Sequence, residues 1–559
     1  MVATQETLFY FPPPPADDAV EWTANDLGLS NTITRTKSRT AYYDKNLDAD
    51  PPRREALLQT ARAFLRDGAA GQPPVERLAV IHGVTVRVWT NSPHLADFWD
   101  ENWYSPAEWR AATGQPPDLT PRVTVYALVR VPGQREAAYY SRARNTIVFF
   151  NTAYYGQLKS WVLGAVGRIL ADEYGIHSVH GACVALNGQG VLYIAPTGTG
   201  KSTSSYGLMA VPGARFHSDD WVYIHYTLAR RDGERLAPVE IVPEGGPPVR
   251  GYRCFRWLAE HPGGRGRLRG LTLANRLVEC SLEALDPRAP IVAYAYISEK
   301  LFYLRTNLVE SFPESAYQIL RSKLENVPLV TPAFLAAHRA TLDDLVTHLR
   351  TASPPAMRAF FQAMPEERLR EVLARLFAFD NARAMLDITQ VLGRERVYTD
   401  PLEPVPLRSV FLLRRDFEDP VVLERLSPEE FIGRLLIGET PEKKREVAYN
   451  AYRAVDDVQE RQWIAALEAQ ARQRGASVAR LFWAQPDIPD SLREEFALFE
   501  VLYRAADCYG LNTILQKDPS VPDKATAVQR TIRLIARAVQ HRPPQSRYTL
   551  ADYHRLFIP

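Results

Sequence analysis

Residues 191–203 read VLYIAPTGTGKST, an apolar run and a glycine- and threonine-rich turn, with Lys201, Ser202 and Thr203 opening a helix. Strand, loop and helix in that order can cradle a chain of phosphates. Across Pro196, Thr197, Gly198, Thr199, Gly200, Lys201, Ser202 and Thr203, the glycines let successive backbone amides turn toward phosphate oxygens. The Lys201 ammonium can reach the β- and γ-phosphates, and the Ser202 hydroxyl can ligate Mg²⁺. Ala195 stands where the strict pattern has glycine, so that turn is one an alanine adopts. A solvated lysine after a flexible turn would need no apolar strand in front of it. The motif predicts a site for a nucleoside triphosphate.

Eighteen and nineteen residues beyond Lys201 come Asp219 and Asp220, in GARFHSDDWVYIHY, at the mouth of a second apolar segment. An isolated Asp-Asp pair is ordinarily a turn or a helix cap. Beside bound phosphates, two adjacent carboxylates divide the work: one holds the bridging metal, the other accepts a proton from an incoming hydroxyl or water. Their distance from the loop and the strand behind them favour that chemistry. Upstream, IHSVHGACVALNGQGVLYI predicts two strands joined at Asn187, Gly188, Gln189 and Gly190. His180 then lies beside the phosphate-loop strand as a proton acceptor or phosphate contact, with His177 as a nearby second choice. In SEKLFYLRTNLVE, Arg305 ends an apolar strand and is followed by Thr306 and Asn307. It could stabilise charge on a transferring phosphoryl group or hold an acidic substrate. Lys300 and Arg415 are weaker candidates of the same kind.

The stretch SVHGACVALNGQGVLYIAPTGTGKSTSSYGL, followed by HSDD, resembles the core of the HPr kinase/phosphorylase and phosphoenolpyruvate carboxykinase superfamily. There a His-Gly strand, a variant P-loop and an Asp-Asp pair follow in this order. The resemblance implies an HPr-kinase-related P-loop kinase core, ATP with Mg²⁺ or Mn²⁺, and transfer of the γ-phosphoryl group to a serine hydroxyl. It implies Lys201 and Ser202 on phosphates and metal, Asp219 as metal ligand, Asp220 as base toward the acceptor, and His180 beside them. The clear match covers about fifty residues. Segments 298–310 and 408–457 are more loosely similar to HPr-kinase-related bacterial proteins, which extends the resemblance over roughly 80–457 with a helical insertion. Trp221 stands where the carboxykinases have a glutamate and then a histidine, so their metal and substrate shell is not reproduced. EGG at 244–246 is similar to a carboxykinase motif but lies in the proline-rich VPEGGPPVRGY and reads as a loop.

The elements that must position these groups read as an α/β protein. Residues 1–75 are an N-terminal arm, with PPPP at 12–15, and a helix over 53–69 ended by Gly68. Residues 76–175 form a small α/β lobe, with strands at 77–90, 122–132 and 145–152 and a helix at 154–174. The kinase core spans 176–330, a helical insertion 331–395, a return to the core 396–457, and a C-terminal helical region 458–559. At 559 residues the chain is long enough for several cores.

The net charge of +2 gives no global field toward nucleic acid or a membrane surface. The basic residues Arg530, Arg533 and Arg537 read as a solvated helix face. Four scattered cysteines without a CxxC pair argue for a reducing compartment and against structural zinc. No apolar run spans a bilayer, and MVATQETLFYFPPPP lacks the order of a signal peptide, so a cytoplasmic protein is expected. The expected partners are ATP and a hydroxyl-bearing acceptor, which is a protein, a peptide or a small molecule such as free serine. Whether the chain forms a homo-oligomer stays open. Two other functions also stay open: a carboxykinase-like enzyme on a small organic acid, and a non-catalytic nucleotide-binding scaffold.

Overall fold

Strand β1 (Tyr43–Asp44) and helix α1 (Pro51–Asp67) begin the described part of the chain. The computed structural model describes residues 40, 42–67, 73–152, 155–195, 200–300, 302, 330–352, 355–378, 388–437, 457–488 and 490–556. The proline-rich arm and Gly68 lie outside them. The apolar alternation over 77–90 folds as two strands, β2 (Val75–Ile81) and β3 (Val84–Thr90), because His82 and Gly83 both take positive φ and reverse the chain. With β4 (Val123–Leu128), β5 (Ala137–Ser141) and β6 (Thr146–Phe150) they form a sheet in the order β1-β5-β6-β4-β3-β2. Helix α1 covers it with Leu58 and Ala61, packed with Tyr126, Val148 and Phe150. Two helices the periodicity did not reveal, α2 (Pro93–Asn102) and α3 (Pro106–Thr113), each begin with a serine cap followed by proline. Ser105 and Glu108 complete a capping box on α3.

Helix α4 (Tyr155–Tyr174) is apolar nearly all round and is buried between this sheet and the next, as such a helix must be. The second sheet opens with β7 (His177–Leu186) and β8 (Gln189–Ile194), the predicted hairpin. Its two-residue turn has Asn187 at φ 52° and Gly188 at φ 77°, the signs a type I′ turn requires. Helix α5 (Lys201–Leu208) follows the loop. Then come β9 (Ala214–Ser218), β10 (Trp221–Ala229), β11 (Arg235–Pro243), β12 (Val249–Arg250), α6 (Arg253–Glu260), β13 (Gly266–Thr272), β14 (Leu277–Ser281) and β15 (Val292–Ile297). After the helical segment come β16 (Val405–Arg414), β17 (Val421–Arg425), β18 (Asp507–Asn512) and β19 (Arg547–Thr549). Among the described residues thirteen strands join, in the main order β14-β13-β11-β10-β7-β8-β16-β18-β17-β19.

Strands β8, β16 and β18 are parallel neighbours. Their near-continuous apolar runs follow from burial on both faces. Val191, Tyr193, Phe411 and Leu511 pack under α5 and the helix Lys524–Gln540. Leu192, Ile194 and Val410 face the helices Pro428–Ile437, Asp457–Arg474 and Asp490–Ala505. Segment 331–395 is helical where described, as its pattern predicts. The stretch after 458 is helical too, but it also carries β18 and β19, which a purely helical reading lacks. The protein is α/β, and among the described residues no helix is long and apolar enough to cross a membrane.

Where α4 and the first sheet meet the second, His82 and His225 are fully buried with their Nε2 atoms 2.7 Å apart, among the rings of Tyr223 and Tyr296. Burial pushes the His82 imidazole down to about 3 and His225 well below its ordinary 6.5. His217, fully buried in β9, is pushed down to about 3 in the same way. Below pH 6.5 the unfolded chain therefore binds protons that the folded one refuses, so stability falls as pH drops from about 6.5 toward about 3. Burial pushes the Glu299 carboxyl up to about 7, which opposes them, one group against three. The urea midpoint should be clearly lower at pH 5.5 than at pH 7.5, and a His82→Leu/His225→Phe variant should lose most of that dependence. Equal midpoints at the two pH values would show that these rings are not held neutral.

Candidate active site

Gly200 caps α5 at φ 102°, a left-handed conformation that costs any other L-residue about 1–2 kcal/mol. It puts Lys201 in the first turn of the helix, 8% exposed. The Lys201 Nζ lies 3.1 Å from His180 Nε2 and 3.5 Å from Asp220 Oδ1. An ammonium only donates, so His180 Nε2 accepts and the ring carries its proton on Nδ1. Strand register explains the meeting. Trp221 of β10 lies opposite His180 of β7, while Gly181 lies opposite Ile194 at the end of β8. The Gly181 amide donates to the Asp220 carbonyl at 3.0 Å.

Asp220 has φ 71°, and the Trp221 amide donates across it to the Asp219 carbonyl at 3.0 Å. That hydrogen bond and φ belong to the rarer, strained form of the γ-turn. Strain of this kind costs about 1–3 kcal/mol and collects at functional sites. The Asp220 amide donates to Asp219 Oδ1 at 3.1 Å, and Asp219 is 3% exposed while Asp220 is half-buried.

Two further residues complete the group. Lys159, from α4, sets its Nζ 3.3 Å from Asp220 Oδ2 and 2.7 Å from Glu299 Oε2. The Asp220 carboxylate thus lies between two ammoniums, one from the phosphate-loop helix and one from the N-terminal lobe. Burial works to lower the Lys159 ammonium, but the charges of Glu299 and Asp220 overcome it and hold it above its ordinary value. Glu299 follows β15, where Ser298 Oγ donates to the Trp221 carbonyl at 3.0 Å. Sequence reasoning missed both. The available signal was a lysine inside an otherwise apolar helix, since a cation there must find a partner.

Lys159→Met would leave the Glu299 carboxyl, already pushed up by burial, to take a proton without its partner, and an unsatisfied buried polar group costs about 1–3 kcal/mol. Guanidinium unfolding should register that loss, with much of it recovered in Lys159→Met/Glu299→Leu. A single variant as stable as the parent would mean the pair carries no such weight.

The structure therefore brings together His180, Lys201, Asp219 and Asp220. Pro196, Thr197, Gly198, Thr199 and Arg305 lie outside the described residues. Ser202 sits in α5, its side chain outside the described part, and Thr203 is exposed on the same helix. His177 packs with Tyr226 at 2.8 Å and against Phe499, away from the site. Lys300 pairs with Glu108 of α3 at 2.6 Å. A cleft of about 780 Å³ between the helices Arg339–Arg350 and Glu366–Ala378 shares no residue with the constellation, and its Arg370 is paired with Asp343 and Glu366.

Asp219 and Asp220 offer the hard oxygen donors that Mg²⁺ takes, whereas Glu299 is engaged with Lys159. Among the described residues no three His, Cys, Asp or Glu side chains form a metal cage, so a cation here would draw much of its shell from phosphates. A carboxylate fixed between ammoniums beside a helix N-terminus can take a proton while the cations offset charge on an oxyanion. No protein-family model and no curated protein matches the chain.

Proposed function

We propose that this protein is an ATP-dependent kinase with an HPr-kinase-like core, moving the γ-phosphoryl group of ATP to a hydroxyl, with serine in a protein, in a peptide or as the free amino acid as the acceptor. The observation that supports this most is the convergence of Lys201, His180 and Asp220 at the end of the phosphate-loop strand. The acceptor oxygen attacks the γ-phosphorus in line as Asp220 takes its proton. The new O–P bond forms, the bond from the γ-phosphorus to the bridging oxygen breaks, and ADP leaves. Lys201 offsets charge on the phosphate oxygens, and His180 and Lys159 hold the lysine and aspartate in register. When bound on Asp219 and Ser202, Mg²⁺ supplies further charge neutralisation to the phosphates. Trp221, 3% exposed, gives no support to a carboxykinase-like reading.

The test is incubation of the purified protein with γ-labelled ATP and cell extract or free serine. Label in an acid-stable, alkali-labile linkage is the expected product of transfer to serine. Label only in acid-labile linkages would overturn a hydroxyl acceptor, and ATP binding without any transfer would favour a scaffold.

A further inference from the structure

Strands β8, β16 and β18 run parallel, β8 ending at Ile194 beside Leu412 and the other two continuing to Arg414 beside Asn512. The chain therefore leaves all three strands along one edge, into the phosphate loop from β8, at Arg415 from β16 and at Thr513 from β18. Ligands of parallel sheets bind in the crevice outside these carboxyl ends. Thr513 lies near the cap of α5: a Cβ built on Gly200 would come 4.0 Å from its Cγ2. Arg415 Nε donates to Thr513 Oγ1 at 3.4 Å, which holds the guanidinium on the residue that stands near the start of α5.

The backbone carrying Arg415 is clamped. The Asn512 amide, 1% exposed, accepts from the Asp416 amide at 2.9 Å and donates to the carbonyls of Asp416 and Asp419 at 2.8 and 3.0 Å. Charge is divided unequally between the two adjacent arginines. Arg414 is surrounded by Asp416, Asp419 and Glu424. Arg415, half-buried, makes no ion pair among the described residues, and its terminal nitrogens make no hydrogen bond there. A guanidinium fork held at a strand end without a carboxylate matches the oxygens of a phosphate.

We propose that Arg415 is a second phosphate-binding cation of the nucleotide site, gripping the phosphates that are not transferred. The proposal rests on the nucleotide reading above. In the sheet order Asp220 and His180 stand on the β7 and β10 side of β8, whereas Arg415 stands on the β16 and β18 side, away from the proposed base.

Arg415→Ala should weaken ADP binding by about tenfold to a hundredfold in titration calorimetry and raise the KM for ATP in step. The kcat should stay within about threefold, because the interaction is the same before and during transfer. Arg415→Lys should recover part of the affinity, and Arg415→Gln should match the alanine variant. Adenosine affinity should be unchanged in all three. Parent-like ADP affinity in Arg415→Ala and Arg415→Gln, with weakened binding in Lys201→Ala, would overturn the role of Arg415 and leave the nucleotide site standing. A parent protein that binds neither ADP nor ATP would instead overturn the nucleotide reading beneath it.

Discussion

Lys201→Ala is expected to reduce ATP turnover to background, by at least about 10²–10³-fold, the scale of losing one fixed donor to developing charge. Calorimetry should show weaker ATP binding as well, because backbone amides alone do not offset the phosphate charge. The fold should survive. Asp220 loses one ammonium in this variant but keeps Lys159 at 3.3 Å, so no buried charge is orphaned. An unchanged unfolding midpoint with lost turnover is therefore the predicted combination. Parent-like affinity together with parent-like turnover would sink the phosphate-loop reading.

Asp220→Asn separates catalysis from binding. The amide cannot accept the proton of the acceptor hydroxyl, so transfer should fall by about 10²–10⁴-fold. Asparagine keeps the size and shape of the aspartate side chain, so the turn at φ 71° should persist. Mg·ATP binding should persist too, measured by the same calorimetry. Asp219→Asn should instead raise the Mg²⁺ concentration needed for half-maximal activity. A scaffold would show neither pattern. Full phosphoryl transfer by Asp220→Asn would remove it as the base and make His180 the residue to replace next.

The residues of this site differ in how far sequence alone reveals them. His180, Lys201 and the aspartate pair were legible because their elements are local: an Asn-Gly hairpin, a strand running into a phosphate loop, and a short strand back. Lys159 and Glu299 were not. Lys159 lies inside an apolar helix and Glu299 just past an apolar strand, and their pairing is fixed only by packing between the lobe and the core sheet. Helices α2 and α3 announce themselves through Ser92-Pro93 and Ser105-Pro106, but they are too short for a periodic apolar face to register. Strand β18 was hidden for another reason. DCYGLN closes a helical stretch, and pairing with β16 and β17, both more than eighty residues earlier in the chain, makes it a strand.

That late pairing sets a timetable for synthesis. The far edge of β8 is closed by β16, whose Leu412 leaves the ribosome more than two hundred residues after Ile194. At about 5–20 residues per second this is an interval of about 10–40 s, and β18 arrives later still. Throughout it, the growing chain carries a finished hairpin with an open, aliphatic hydrogen-bonding edge, the kind of surface that templates misassembly. In the folded chain that edge is covered by β16, and β16 in turn by β18. The parallel core around β8 is therefore completed only by strands encoded in the far half of the chain.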